Sequence, residues 1–187
     1  SFGMLNFENL NHEGFLVNLK AKIGQWINTE SSFADERSYV YNLVLDKENQ
    51  LSGDVNHYFK GYAGLRSRDK YKNAINESEY LKTLKKDRNG LELSDYKVDN
   101  LDSLDLPFVE SMNVNITDQV EEAGNLVYFT PLLYERTKEN LFKHEERLFP
   151  VDFGHPIKES YRITVKFPEG YEVDKLPKST IYKIPND

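Results

Sequence analysis

Any chemistry in this chain of 187 residues must come from oxygen, nitrogen and imidazole, since it has 31 Asp and Glu residues, four His and no Cys. The missing sulfur removes disulfides, thiolate metal ligands and thiol nucleophiles at once. Serine hydrolysis would need a serine held by a base beside an oxyanion hole, and no Gly-x-Ser-x-Gly elbow is present. A metal site needs convergent His, Asp or Glu ligands. His144-Glu145-Glu146 has no second histidine at helical spacing, so His144 reads as a surface residue of a charged segment. His155 stands in the tight-turn context Phe153-Gly154-His155-Pro156, and His12 lies near the start of the chain. His57 falls on the apolar face of an alternating segment and reads as a satisfied core histidine. Asp99, Asp102 and Asp105 recur every third residue, a spacing whose oxygens calcium would accept. The glycine and terminal glutamate of an EF-hand loop are absent there, and a solvated acidic loop is the reading. Two carboxylates about 5–10 Å apart would suit a glycosidase. Among so many acids, such a pairing carries no specificity.

Two segments stand out by their backbone demands. In Gly61-Tyr62-Ala63-Gly64-Leu65-Arg66-Ser67-Arg68, glycines flank a Tyr-Ala pair directly after a strand, which points to close backbone approach at a strand-to-helix junction. Arg66 and Arg68 there suit a structural salt bridge, or an anion at the helix start. In Arg147-Leu148-Phe149-Pro150-Val151-Asp152-Phe153-Gly154-His155-Pro156, two prolines and a glycine fix the chain path. It reads as an inter-sheet crossing with Arg147 or Asp152 paired internally. Tyr62, Arg66, Arg68, Arg147, Asp152 and His155 are therefore the candidate structural or interaction residues. Trp26, Tyr58, Tyr62 and Tyr71 are possible members of a sugar-stacking platform, although alternation assigns most aromatics to core faces.

The elements that must position these residues are mostly strands. Hydrophobic residues make up 39% and charged residues 29%, a globular composition, and 13% aromatics favour pleated surfaces. Period-2 alternation predicts strands over Phe15–Lys22, Tyr39–Asp46 and Leu51–Phe59, the last two joined as a hairpin through Asn49-Gln50. Gly61–Lys72 loses the alternation and becomes helix-like. A firmer helix follows: Asn76 caps it, Glu79 completes a capping box, Tyr80, Leu81 and Leu84 form its stripe, and Asn89-Gly90 stops it. Leu91–Val98 changes phase between Leu93 and Tyr96, which predicts a bulge. Phe108 to Ile116 alternates. Leu126–Leu133 is apolar on both faces and is placed centrally in a sheet. Tyr161, Ile163, Val165 and Phe167 define the clearest amphipathic strand, and Val173 and Thr180–Ile184 supply short extended pieces.

About eight to ten short strands with one helical interruption predict a mainly β chain. The expected architecture is an antiparallel β-sandwich, immunoglobulin-like or related, with one or two short helices inserted near the middle. A single domain spanning residues 1–187 is expected, with a possible two-lobe seam near residues 97–105. The formal net charge of −7 disfavours nucleic-acid backbones and anionic membrane surfaces. The basic stretch Lys82, Lys85, Lys86 and Arg88 complements a helix C-terminus. No apolar run of about 18 residues predicts a membrane span, and no cofactor is expected.

Three stretches carry a family resemblance. They are Leu51-Ser52-Gly53 leading to Gly61-Tyr62-Ala63 with Arg66 and Arg68; Leu126-Val127-Tyr128-Phe129-Thr130-Pro131 followed by Glu139-Asn140-Leu141-Phe142-Lys143; and Arg147 to Gly154 with Phe167-Pro168-Glu169-Gly170-Tyr171 and Leu176-Pro177. Over roughly residues 13 to 182 the chain resembles the C-terminal β domain, of unknown function, of bacterial transglutaminase-like envelope proteins with a papain-like core. The resemblance implies that the Cys-His-Asp machinery lies upstream of this chain. It also implies a parent located in the periplasm or at the cell surface. The expected role is a non-catalytic accessory domain that packs on or regulates that core, or binds an envelope protein. A carbohydrate-binding β-sandwich module, with a glycan as partner, is the alternative.

Overall fold

The computed structural model describes residues 4–10, 13–31, 33–140, 143, 146, 151 and 153–183. The chain is mainly β, with antiparallel sheets and two helices inserted near the middle. Its frame is a five-stranded sheet. β3 (Asp35–Leu45) and β4 (Leu51–Lys60) form the expected hairpin. At its turn Asp46 Oδ1 accepts from the Glu48 and Gln50 amides at 3.0 and 2.8 Å. Helix α1 (Gly61–Asn73) and helix α2 (Glu77–Lys85) follow, then β5 (Leu91–Asp99), β6 (Phe108–Ile116) and, far along the chain, β9 (Ile157–Lys166). The order across the sheet is β5-β6-β4-β3-β9. All pairings are antiparallel except β3 with β9, which is parallel.

Alternation gives this sheet two unlike faces. Tyr41, Leu43, Leu45, Leu51, Val55, Met112, Val114 and Ile116 are buried on one face. Ser52, Asp54, Asn56, Ser111, Asn113 and Thr164 occupy positions of the opposite parity, and Asn56 accepts from the Ser111 hydroxyl across the strands at 2.7 Å. The layer over the apolar face is composite. A small hairpin of β7 (Val120–Ala123) and β8 (Leu126–Phe129) packs Val120, Val127 and Phe129 onto one end, together with buried Leu133. Helices α1 and α2 cover the other end.

The helices start where the sequence predicts. Gly61 has φ +62, and a Cβ there would lie 2.1 Å from the Ala34 carbonyl oxygen. A Cβ on Gly64 would stand 2.7 Å from Phe59 O. The two glycines thus let α1 turn directly off β4. Asn76 accepts from the Glu79 amide at 2.9 Å and caps α2, which ends at Lys85, before Asn89-Gly90, with Asp87 at φ 61. The register of β5 on β6 shifts between Ser94 and Lys97, with Asp95 at φ 51, so the predicted bulge is present.

Three expectations are corrected. The alternation over Phe15–Lys22 is not one strand: β1 (Glu13–Asn18) turns back into β2 (Ile23–Asn28). Asn18 Oδ1 accepts from the Ala21 amide at 3.0 Å and Lys22 adopts φ 53, a local turn that outcompetes extension. Leu126–Leu133 is not central; only its first four residues form β8, at the edge of a two-stranded unit, before Thr130 and Pro131 break the chain. Residues 167–183 contain no strand. The expected extended stretch Arg147–Phe153 falls almost wholly outside the described residues.

The junction at Gly61 generates a prediction. Gly61→Ala forces a left-handed backbone on an L side chain that also meets a carbonyl, at a cost of about 1–3 kcal/mol. Urea unfolding followed by circular dichroism should show that loss, whereas Gly124→Ala, where a Cβ meets nothing within 4 Å, should cost less.

Candidate functional site

Alternation along β6 demands an apolar residue between Phe108 and Met112 on the core face, yet Glu110 stands there and is 1% exposed. His57, equally out of pattern on β4, lies opposite in register. Its Nδ1 is 3.5 Å from Glu110 Oε2. Two phenols complete the carboxylate's shell: Tyr80 of α2 and Tyr96 of β5 each donate to Glu110 Oε1 at 2.7 Å. Burial pushes the Glu110 carboxyl up, but the bonds from His57, Tyr96 and Tyr80 outweigh it and hold it below the ordinary range. Burial, then the Glu110 charge, drives the Tyr80 and Tyr96 phenols strongly upward.

The network continues along the floor. The Tyr41 hydroxyl is 3.5 Å from His57 Nε2 and donates to Glu135 Oε1 at 3.1 Å. Arg88 donates to that same oxygen at 3.0 Å, and its guanidinium lies 5.6 Å from the centre of the Tyr134 ring. A cleft of about 640 Å³ opens over this floor, bounded by Tyr39, His57 and Phe59 of the sheet and by Tyr80 and Leu84 of α2. Glu–His–Tyr is a relay order known from general-base catalysis, but burial and Glu135 raise the Tyr41 phenol far from the range of a nucleophile. What the arrangement can do is hold charge in a dry place and present it to the cleft.

A second buried carboxylate, Asp35, begins β3 and is 0% exposed. Arg66 of α1 pairs with it, Arg37 reaches it through Nε and Nη2 at 3.3 and 3.1 Å, and His155 Nε2 is 3.9 Å away. Tyr62 stacks on His155 with ring centres 4.9 Å apart, and its hydroxyl donates to Leu5 O at 3.0 Å. The structure thus brings Tyr62, Arg66 and His155 together around an acid that sequence reading did not single out. Arg68 goes elsewhere. It donates to the carbonyls of Asn100, Ser103 and Leu106 and ties the 100–106 loop to α1. Arg147 and Asp152 lie outside the described residues, as do His12 and His144.

In the acidic loop, Asp102 pairs with Lys72 at 2.6 Å. Among the described residues, no group of three His, Asp or Glu side chains could hold a metal ion. The four aromatics considered as a platform are dispersed. Trp26 is on the β1–β2 hairpin, Tyr58 is on the polar face, Tyr62 is buried, and Tyr71 packs edge-on against Tyr80.

Sequence comparison covers one part of the chain. Residues 125–187 are similar to the family described as "Domain of Unknown Function with solved-structure structure" (DUF3858). Neither the curated proteins nor the solved structures compared with the chain give a match. No helix among the described residues is long and apolar enough to cross a membrane.

The Glu110 shell predicts an acid signature. The folded carboxyl sits below its unfolded value of about 4.3, so its contribution to stability is full above that pH and is lost as pH falls through the lower folded value. Glu110→Gln replaces charged hydrogen bonds with neutral ones at a cost of about 2 kcal/mol near pH 7. That deficit should shrink as pH falls below about 4. Parallel stability–pH curves for the two proteins would contradict the assignment.

Proposed function

We propose that this chain is a non-catalytic accessory domain, and that it works by packing against a protein neighbour. The observation that carries the reading is the β1–β2 ribbon. Phe15, Leu16, Val17, Ile23 and Trp26 are all exposed, Trp26 at 68%. Register places Phe15, Val17 and Trp26 on one face and Leu16 and Ile23 on the other, so the ribbon is apolar on both sides. An isolated two-stranded hairpin is marginal in water. One that offers apolar groups to both sides suits insertion between surfaces of another protein. The internal acids add support. Glu110 and Asp35 are engaged by phenols, arginines and imidazole from their own fold, and the surrounding tyrosines are shifted away from reactivity.

The resemblance to transglutaminase-like envelope proteins supplies the partner. In that reading, the neighbour is the papain-like core of the same polypeptide, and the ribbon is the surface that meets it. The parent is then a periplasmic or surface-exposed protein, and the domain shapes or regulates access to the core.

Mixing the 187-residue chain with the separately produced transglutaminase-like core of its parent tests this by sedimentation velocity. A complex should form, and Trp26→Asp should weaken it at least tenfold while leaving the unfolding midpoint of the five-stranded sheet unchanged. No complex, or one indifferent to Trp26→Asp, would overturn the reading. Glycan-array binding lost on Tyr58→Ala would favour the carbohydrate-binding alternative instead.

A further inference from the structure

The cleft between the sheet and α2 has the size of a small-molecule site, about 640 Å³, and its lining has a definite polarity. Its floor and near wall are aromatic: Tyr39 meets His57 and Phe59 edge-on, at 5.1 and 5.8 Å between ring centres, and Tyr80 stands on the α2 side. Its acids hold spare acceptor capacity. Among the described residues, Glu135 receives Tyr41 and Arg88 on Oε1, none donates to Oε2, and that oxygen keeps some contact with solvent. Among the described residues, Glu110 Oε2 has the 3.5 Å approach of His57 and no other donor.

The cationic groups nearby are committed or peripheral. Arg88 is spent on Glu135 and lies against the Tyr134 ring. Lys70 belongs to the exposed side of α1. The Tyr39 phenol is driven up by burial and then by the negative charge of Glu135, with Arg37, itself paired with Asp35 and Glu159, opposing. Open carboxylate oxygen beside aromatic faces, in a partly desolvated cleft, is the environment that stabilises a cation through charge-assisted hydrogen bonds and ring quadrupoles together.

We propose that this cleft binds an ammonium or guanidinium group carried on a short apolar stem, the head on Glu135 Oε2 and the stem between Tyr39, Phe59 and Tyr80. Two sources share that chemistry: a basic side chain of a peptide, and a free alkyl amine or polyamine. The ribbon proposal does not depend on this site, nor does this site depend on the ribbon.

The test is a titration of the full chain, followed by two-dimensional NMR, with n-butylammonium, n-butylguanidinium, 1,4-diaminobutane, a short lysine-containing peptide and uncharged n-butanol. Both monovalent cations should shift resonances of Tyr39, Phe59 and Tyr80, and n-butanol should bind at least tenfold more weakly. Glu135→Gln should weaken the cations at least tenfold. Because that change also leaves Arg88 without its counter-charge, Tyr39→Leu serves as the second variant and should weaken them several-fold with the sheet intact. Tighter binding of the peptide than of the diamine assigns the side-chain source, and the reverse order assigns the free amine. Absence of shifts with either cation, equal binding of n-butanol, or cation binding indifferent to both variants would overturn the proposal.

Discussion

A carboxylate placed inside a β-sheet has to be surrounded by donors, and meeting that demand organises much of this molecule. An unpaired buried ion costs several kcal/mol even after relaxation. Glu110 lies in β6, second from the sheet edge, on the side where its neighbours are Phe108 and Met112. Its donors arrive from three other elements: His57 from β4, Tyr96 from β5 and Tyr80 from α2. The Tyr96 donor lies within the bulge in β5, between Ser94 and Lys97, which re-aims its side chain. The capped start of α2 at Asn76 sets the phase that turns Tyr80 inward. Local devices of modest energy are thus recruited to satisfy one expensive group.

Asp35 plays the corresponding part at the opposite corner. It joins β3 to α1 through Arg66, and its amide donates to Pro156 O at 2.8 Å, immediately before β9 begins. The parallel partnership of β3 and β9 starts from that bond, since Asp35 is in register with Ile157. A parallel pair needs a long crossover, and here the whole chain from β4 to residue 156 lies between the two strands. The carboxylate that holds α1 therefore also marks where the returning strand enters. Between the two anchored corners, among the described residues, the cleft lies between the helices and Glu135.

Local signals in the sequence carried most of this architecture. Alternation was enough for β3, β4, β6 and β9 because each turns one face toward the core, half-buried in β9, and the other toward water. Asn76 with Glu79 was enough for α2, and the phase change near Tyr96 for the bulge. The β1–β2 turn was hidden because Leu19 and Ala21 prolong the alternation of Phe15 and Val17 through residues that actually reverse the chain. The β3–β9 pairing was hidden because nothing local encodes a partner more than a hundred residues away. Of the two buried acids, Glu110 did leave a trace, since a glutamate breaks the core-face parity of β6 just as His57 breaks that of β4. Asp35 left none; it is one acid among 31, recognisable only once the fold delivers Arg66 and His155 to it.

The distribution of apolar surface follows from the same arrangement. With its charges answered from within, the five-stranded sheet has no need of a partner for its own interior, and Leu51, Phe108 and Ile116 are completely shielded. Exposed apolar groups are concentrated in the β1–β2 ribbon and in the strandless segment after β9, where Leu176, Ile181 and Tyr182 are exposed, with others scattered singly, such as Ile75. Neither segment contributes a buried side chain to the hydrophobic core around Leu43 and Ile116. The free energy of the sheet and that of the ribbon are therefore nearly separable, and distant, independent sites of this kind respond additively to substitution. A neighbour that covers the ribbon can come and go without disturbing Glu110 or Asp35. In the proposed role, that separability would let the sheet stay fixed while a neighbour covers the apolar ribbon.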